Sequence, residues 1–158
     1  MLQHKTVVTG AAGEVGFQVT KLFAESGSPV TAMVRASSDR TALNKLGVNI
    51  VEADLSDQAS LERAFAGAYG VFHIAAVYRE PDLTDEMFFE VNAKGTRRVF
   101  EAAIAQGVKR VVHCSTGGVL GDIKNPPGSH LTPYSPGDVY QRSKVEAEKI
   151  ALEYFRSG

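Results

Sequence analysis

The sequence predicts an α/β fold, a parallel sheet wrapped by helices, and three observations predict it. Short β-rich runs alternate with longer segments of helical period, glycines recur just past the helical segments, and no internal repeat or low-complexity tract breaks the alternation. Taken in order, Thr6–Thr9 is a β-branched strand running into a glycine turn, and Glu14–Ser26 is an amphipathic helix closed by Gly27. Val30–Val34 is the second strand, and Arg40–Leu46 a helix closed by Gly47. Val48–Glu52 is the third strand, and Gln58–Ala66 a helix closed by Gly67. Val71–Ile74 is the fourth strand, Thr84–Gln106 a long helix closed by Gly107, and Arg110–His113 the fifth strand. Gly137–Arg156 is the last helix. Most of the strands are mainly apolar, as strands covered on both faces should be, and the glycines stand where a left-handed residue ends a helix. The long irregular stretch from Thr116 to Asp138, rich in Gly, Pro and Ser, lies just before the last helix, and a loop of that length is usually functional.

Composition bounds the function. The 158 residues are expected to form one domain, residues 1–158, and an apolar content of 44% is enough for a substantial core. Seventeen basic residues against 18 acidic ones, a net charge of −1, give no reason to expect nucleic acid or a membrane surface as partner; a small molecule or a protein is expected instead. The single cysteine, Cys114, excludes an internal disulfide framework, and with four scattered histidines it makes no metal-ligand spacing. The start "MLQHK" lacks the order of a signal peptide and no apolar run approaches a membrane span, so the cytoplasm is the expected location.

In "VVTGAAGEVGFQV" a strand ends, glycines permit a tight turn and a close backbone approach, and a helix begins with its amide groups and positive dipole end facing the turn. A pyrophosphate fits that arrangement, held by Gly10, Gly13 and Gly16 with Ala12, Glu14 and Val15 between and beside them. The plain alternative is a strand-to-helix turn whose glycines serve backbone shape alone, but the flanking strand and helix are the context that nucleotide binding requires.

The spacing Thr9-Gly10-x-x-Gly13-x-x-Gly16 resembles the cofactor loop of the extended short-chain dehydrogenase/reductase family. The resemblance continues in order along the chain with "ADL" at Ala53–Leu55, "HIAA" at His73–Ala76, "VNAKGT" at Val91–Thr96, "CSTGGVLG" at Cys114–Gly121 and "YQRSK" at Tyr140–Lys144. The wording, "MVRASSDR" especially, is most similar to the dihydroflavonol-reductase-like and sugar-epimerase-like branches. It implies a Rossmann-type doubly wound parallel sheet of about five strands and a nicotinamide dinucleotide cofactor. Asp54 and Leu55 would then flank the adenine, Ala75 and Ala76 would line the cofactor's path, and Asn92 would support the active-site helix and a water network. Asp54 has an alternative role as the cap of the helix that begins near Asp57, and the two alanines as core fillers. Asn92 is otherwise a poor residue for a helix, which favours a purposeful hydrogen bond.

The end of the second strand bears on the cofactor. An acidic residue about 20 positions beyond the glycine loop would bind the ribose 2′-hydroxyl of NAD, and an arginine suits the 2′-phosphate of NADP. Val34 stands where the family's acidic residue would be, Arg35 follows, and no carboxylate appears until Asp39. Arg35, with Ser37, Ser38 and Arg40 as helpers, therefore favours NADP over NAD, against the alternative of an ordinary solvated loop.

Tyr140 and Lys144 share one helix face. A tyrosine with its ordinary pKa of about 10 is a poor proton-transfer group at neutral pH, and a nearby ammonium together with the oxidised nicotinamide favours its phenolate. Tyr140 is read as the general acid/base, with Lys144 tuning it and holding the nicotinamide ribose. By the family's turn, counting five residues back from Gly121 gives Thr116 as the hydroxyl that binds the substrate oxygen, with Ser115 as the fallback. Cys114 is read as a buried strand residue, since no basic partner is spaced to activate it.

These roles imply hydride transfer between nicotinamide and a carbonyl or carbinol carbon. The family's dehydratases carry an Asp-Glu pair where Gly117 and Gly118 stand, which disfavours dehydration. Arg35 leans the choice toward a reductase, with a nucleotide-sugar epimerase as one alternative and a non-catalytic NADP-binding sensor or fragment as another. The expected partner is a carbonyl compound or nucleotide sugar, with a homodimer possible. Members of the family continue into a sixth strand and a C-terminal substrate lobe that this sequence lacks, so it reads as an excised piece, a fragment of a longer gene product or a naturally short protein. The 158 residues are expected to bind cofactor, turn over substrate poorly, and leave the fifth strand as an exposed edge prone to association.

Overall fold

A computed structural model describes residues 4–78, 82–124 and 126–157. Its elements run β1 (Thr6–Thr9), α1 (Glu14–Glu25), β2 (Val30–Val34), α2 (Thr41–Leu46), β3 (Asn49–Glu52), α3 (Gln58–Phe65), β4 (Gly70–His73), α4 (Asp85–Phe89), α5 (Gly95–Ala105), β5 (Arg110–His113) and α6 (Val139–Ser157). The chain divides into two compact units. The first is built from the described residues up to Ala76 together with Arg98–Cys114, and the second from Val77–Arg97 together with the described residues from Ser115 onward.

The first unit holds a five-stranded sheet in the order β3-β2-β1-β4-β5, every pairing parallel. The chain builds outward from β1 to β3 and then returns to lay β4 on the other side of β1. The strand order therefore reverses between β1 and β4, the place where open α/β sheets bind ligands beyond their carboxyl ends. Every residue of β1 and β2 is buried, whereas β3 and β5 are partly exposed, as central and edge strands should be. One core cluster joins Val8, Ala11, Val30, Ala32, Val34 and Leu43, with Phe17, Phe23, Ile50 and Phe72 packed against it. β5 is an edge of the described sheet, as the sequence leads one to expect, and Val112 on it is 48% exposed.

Three strands match their expected bounds; β3 begins one residue later, at Asn49, and β4 runs one residue earlier, from Gly70 to His73. Gly27, Gly47, Gly67 and Gly107 all adopt positive φ, between 66° and 69°, and close their helices as expected. The expected continuous helix Thr84–Gln106 is interrupted. Between α4 and α5 the backbone makes a π-helical turn over Glu90–Lys94, with the Gly95 amide donating to the Glu90 carbonyl five residues back. The Thr96 hydroxyl donates to the Asn92 carbonyl at 2.6 Å, a competing bond from four residues on that accompanies the local widening.

In the second unit α6 packs against α4, the π-helical turn and a short 3₁₀ turn over Gly117–Leu120. The exposed ion pairs Arg142–Asp85 at 3.1 Å and Arg97–Glu153 at 3.2 Å tie α6 to the α4 and α5 segment and contribute little individually. The irregular stretch before α6 is fixed by the Ser135 amide, which donates to the Val119 carbonyl at 3.0 Å. Gly158 lies outside the described residues. Among the described residues no helix is long and apolar enough to cross a membrane.

Candidate functional site

The glycine loop lies in the first unit at the carboxyl end of β1. Gly10 has φ +67°, and a Cβ there would stand 2.8 Å from the Cα of Ala75. A Cβ on Gly16 would stand 2.1 Å from the Gly10 carbonyl oxygen, so the first turn of α1 can close on the loop only as glycine. Gly13 makes the turn itself, its amide donating to the Gly10 carbonyl at 3.0 Å, and it precedes α1 without any side-chain cap on the first-turn amides. Ala12, Gly13, Glu14 and Val15 are exposed there. Bare backbone, a helix N-terminus with no side chain over it, and two positions where a side chain cannot stand are what a pyrophosphate needs.

The Thr9 hydroxyl, just before the loop, accepts from the amides of Ile74 and Ala75, each at 3.1 Å, and pairs with Nδ1 of buried His73 at 3.0 Å. It thus fixes the segment after β4 against the loop, which places Ala75 beside Gly10. Ala75 is half-buried and Ala76 exposed, so neither is a core filler.

At the end of β2, Arg35 is exposed and opens a turn in which its amide donates to Ser38 Oγ at 3.2 Å and the Ser38 amide donates to its carbonyl at 3.0 Å. Ser37 is exposed in the same turn. Arg40, proposed from sequence as a helper, instead pairs with Glu52 at 2.7 Å. Asp54 does not cap the next helix: Asp57 does, accepting from the Ser60 amide at 3.2 Å. The Asp54 carboxylate accepts from the Ser56 hydroxyl and amide at 2.6 and 2.8 Å, which holds its pKa below the usual carboxylate value, with Arg35 and Arg98 adding smaller attractions. Leu55 is buried, and its carbonyl accepts from Arg98 at 3.3 Å.

The second unit carries the remaining residues. Tyr140 and Lys144 lie one turn apart on α6. Lys144 is only 3% exposed, and a buried ammonium is costly unless the fold holds it for a purpose. Asn92, 1% exposed on the π-helical turn, uses its whole side-chain amide: Oδ1 accepts from the Val77 amide at 2.8 Å, and Nδ2 donates to the Val77 carbonyl at 3.1 Å and to Ser143 Oγ at 2.9 Å. Ser143 in turn donates to the Tyr140 carbonyl at 2.7 Å. Asn92 is therefore linked to α6 directly through Ser143.

The two candidate hydroxyls differ. Ser115 donates its hydrogen to the Glu148 carboxylate, whose other oxygen accepts from the Tyr134 hydroxyl at 2.9 Å. Thr116 Oγ1 accepts from the Gly118 amide at 3.2 Å, capping the 3₁₀ turn, and this leaves the hydroxyl hydrogen to donate. Cys114 is half-buried at the end of β5.

Sequence reasoning missed four participants: Thr9, Ser143, Glu148 and Tyr78. Glu148 stands four residues past Lys144 on the face that carries Tyr140, a spacing that signals it. Tyr78 packs its ring edge-on against Tyr140, with centroids 4.7 Å apart and planes at 66°, and nothing in the local sequence announces that contact.

A profile of the NAD dependent epimerase/dehydratase family matches residues 6–158. The chain is 36% identical over 157 residues to sterol demethylase protein B of Methylococcus capsulatus, covering 96% of this chain and 47% of that protein. It is 31% identical over 152 residues to a 4-hydroxy-2-methyl-3-oxo-4-farnesyl-3,4-dihydroquinoline-1-oxide ketoreductase of Stigmatella aurantiaca, covering 94% and 45%. Among solved structures it is similar to a short-chain dehydrogenase/reductase superfamily protein from Agrobacterium tumefaciens with bound NAD, with a TM-score of 0.86, 31% identity, and coverage of 98% of this chain and 46% of that one. The chain spans about half the length of the relatives it matches.

Proposed function

Since the chain belongs to the NAD-dependent epimerase/dehydratase family, we propose that it binds a nicotinamide dinucleotide and serves an oxidoreductase that interconverts a carbonyl and a carbinol, with Tyr140 as general acid/base. The observation that carries this reading is the pairing of half-buried Tyr140 with a buried lysine one turn later on α6, braced by Asn92 through Ser143.

The glycine loop fits the cofactor by its own geometry. The amides of Ala12–Gly16 and the N-terminus of α1 hold the pyrophosphate, with Gly10 and Gly16 keeping side chains out of its way. Asp54 and Leu55 flank the adenine, Ala75 and Ala76 line the path onward, and Arg35, with Ser37 and Ser38, takes the 2′-phosphate of NADP. When bound, the nicotinamide supplies or accepts the hydride. Thr116 donates to the substrate oxygen, and Tyr140 gives that oxygen its proton in reduction or removes it in oxidation. Lys144 lowers the cost of the phenolate and holds the nicotinamide ribose.

Gly117 and Gly118 offer no carboxylate for elimination, which favours a reductase over a dehydratase. An epimerase is the second reading, supported by the family match. The test is NADPH oxidation by the protein over a panel of aldehydes, ketones and nucleotide sugars, beside direct epimerisation of the sugars. Turnover lost in Tyr140→Phe with cofactor affinity retained supports the reading; turnover undiminished in that variant overturns it.

A further inference from the structure

We propose that Tyr78 is a positioning residue for Tyr140, its ring setting the orientation of the Tyr140 phenol and shielding it from water. The inference rests on the reading of Tyr140 as acid/base and adds a residue to it that no motif supplies.

The geometry closes on itself. Tyr78 follows Val77, whose amide and carbonyl are both taken by the side chain of Asn92 at 2.8 and 3.1 Å, so the backbone leading into Tyr78 is pinned on both sides of the preceding residue. The same Asn92 side chain donates to Ser143 Oγ, and Ser143 donates to the carbonyl of Tyr140. Asn92 thus holds the residue before Tyr78 directly and the carbonyl of Tyr140 through Ser143. The circuit is completed by the edge-on packing of Tyr78 against Tyr140 at 4.7 Å. An edge-to-face aromatic pair is directional, so it selects a ring orientation where an aliphatic neighbour would only fill space.

The arrangement has a chemical consequence. The Tyr140 ring has limited freedom about its side-chain torsions while Tyr78 is in place, and the phenol is presented in one direction. The covering ring also excludes water from one side of the phenol. Shielding alone would raise a phenol's pKa, as burial does at Tyr134, so the benefit lies in orientation: a ring held in one direction keeps the phenol toward Lys144, one turn along α6, whose ammonium favours the phenolate. Tyr78 is itself 52% exposed, which leaves the rest of its ring to meet solvent or substrate.

The experiment follows the ionisation of Tyr140 by NMR in protein labelled with a carbon isotope at the tyrosine ζ position, the signal being assigned by its loss in Tyr140→Phe. The wild-type signal should titrate below the ordinary tyrosine value of about 10, Tyr78→Ala should move it back upward by roughly half a unit, and Tyr78→Phe should restore the wild-type midpoint. A wild-type midpoint at the ordinary value would remove the acid/base reading and this inference with it. A lowered wild-type midpoint left unchanged by Tyr78→Ala would sink the positioning role alone. If Tyr78→Ala fails to fold, the ring-to-ring NOE between Tyr78 and Tyr140 in the wild type decides: its presence, with a lowered midpoint that Tyr78→Leu raises, supports the inference, and its absence overturns it.

Discussion

A Cβ placed on Gly16 would stand 2.1 Å from the carbonyl oxygen of Gly10, a distance no side chain can occupy. The obstacle is backbone on both sides, so neither partner can rotate away, and relief requires α1 to move off the loop. Gly16→Ala should cost about 1–3 kcal/mol in urea denaturation, as overpacking does, and should weaken NADPH binding by roughly tenfold or more. Gly47→Ala is the control. Its φ is +66° but no atom lies within 4 Å of the added methyl, so it should lose about 1 kcal/mol or slightly more and keep its cofactor affinity. Equal cofactor affinity in wild type and Gly16→Ala would show that the loop does not hold the pyrophosphate.

Asn92 supplies three hydrogen bonds from a nearly fully buried position. Asn92→Leu keeps much of the volume and strands the amide and carbonyl of Val77, so it should cost about 1–3 kcal/mol for each group that finds no water. Ser143→Ala, which removes one link of the chain, should cost about 1 kcal/mol. Chemical denaturation of the two variants checks the ranking, and an Asn92→Leu variant as stable as Ser143→Ala would refute the bracing role.

The legible parts of this fold are those whose cause is local. Gly10, Gly13 and Gly16 are spaced by the demands of one turn, and Gly27, Gly47, Gly67 and Gly107 each answer the need of a single helix end, so short windows of sequence reveal them. Tyr140 and Lys144 declare themselves by helical spacing. The π-helical turn is not legible, because the residues around Asn92 have an ordinary helical period, and the partners of the Asn92 side chain, Val77 and Ser143, lie 15 and 51 residues away. Glu148 separates Ser115 from Thr116 in a way the sequence does not show: it takes the Ser115 hydrogen across 33 residues, whereas Thr116 Oγ1 accepts from the Gly118 amide. Nearness to Arg35 in sequence makes Arg40 a candidate helper for the phosphate, whereas its pairing with Glu52 brings together residues 12 apart, beside paired β2 and β3, which a linear reading does not contain.

Arg35 should make the protein prefer NADPH to NADH. Charge-assisted contacts to the 2′-phosphate contribute on the order of 1.5–3 kcal/mol, a preference of roughly tenfold or more. The Asp54 carboxylate nearby is ionised at neutral pH, as an ordinary carboxylate is, and Ser56 lowers its pKa further, so its negative charge opposes a second one and limits the preference. Arg35→Ala should equalise the two cofactors in fluorescence titrations, and Asp54→Asn should widen the gap in favour of NADPH. An unchanged preference in Arg35→Ala would assign the selectivity elsewhere.

The Tyr134–Glu148 contact predicts an alkaline loss of stability. Burial raises the Tyr134 pKa above its ordinary value, and the hydrogen bond to the Glu148 carboxylate adds to the effect, because the phenol must keep its proton to donate to a negative acceptor. A tyrosine whose folded pKa lies above its unfolded value stabilises the fold fully below about pH 10 and loses that contribution as pH rises through the folded value. Tyr134 is 37% exposed, so solvent screening holds the contribution to about 1 kcal/mol or less. Tyr134→Phe should therefore be slightly less stable than wild type at neutral pH, and the gap should close or reverse toward about pH 11, where the wild type must either pay to keep the phenol neutral or set two negative charges side by side. Glu148→Gln should shrink the same gap, since the charged acceptor is gone while the burial remains. Urea denaturation across that pH range measures both differences, and a Tyr134→Phe gap that stays constant from neutral to alkaline pH would show that the contact carries no ionisation-linked stability.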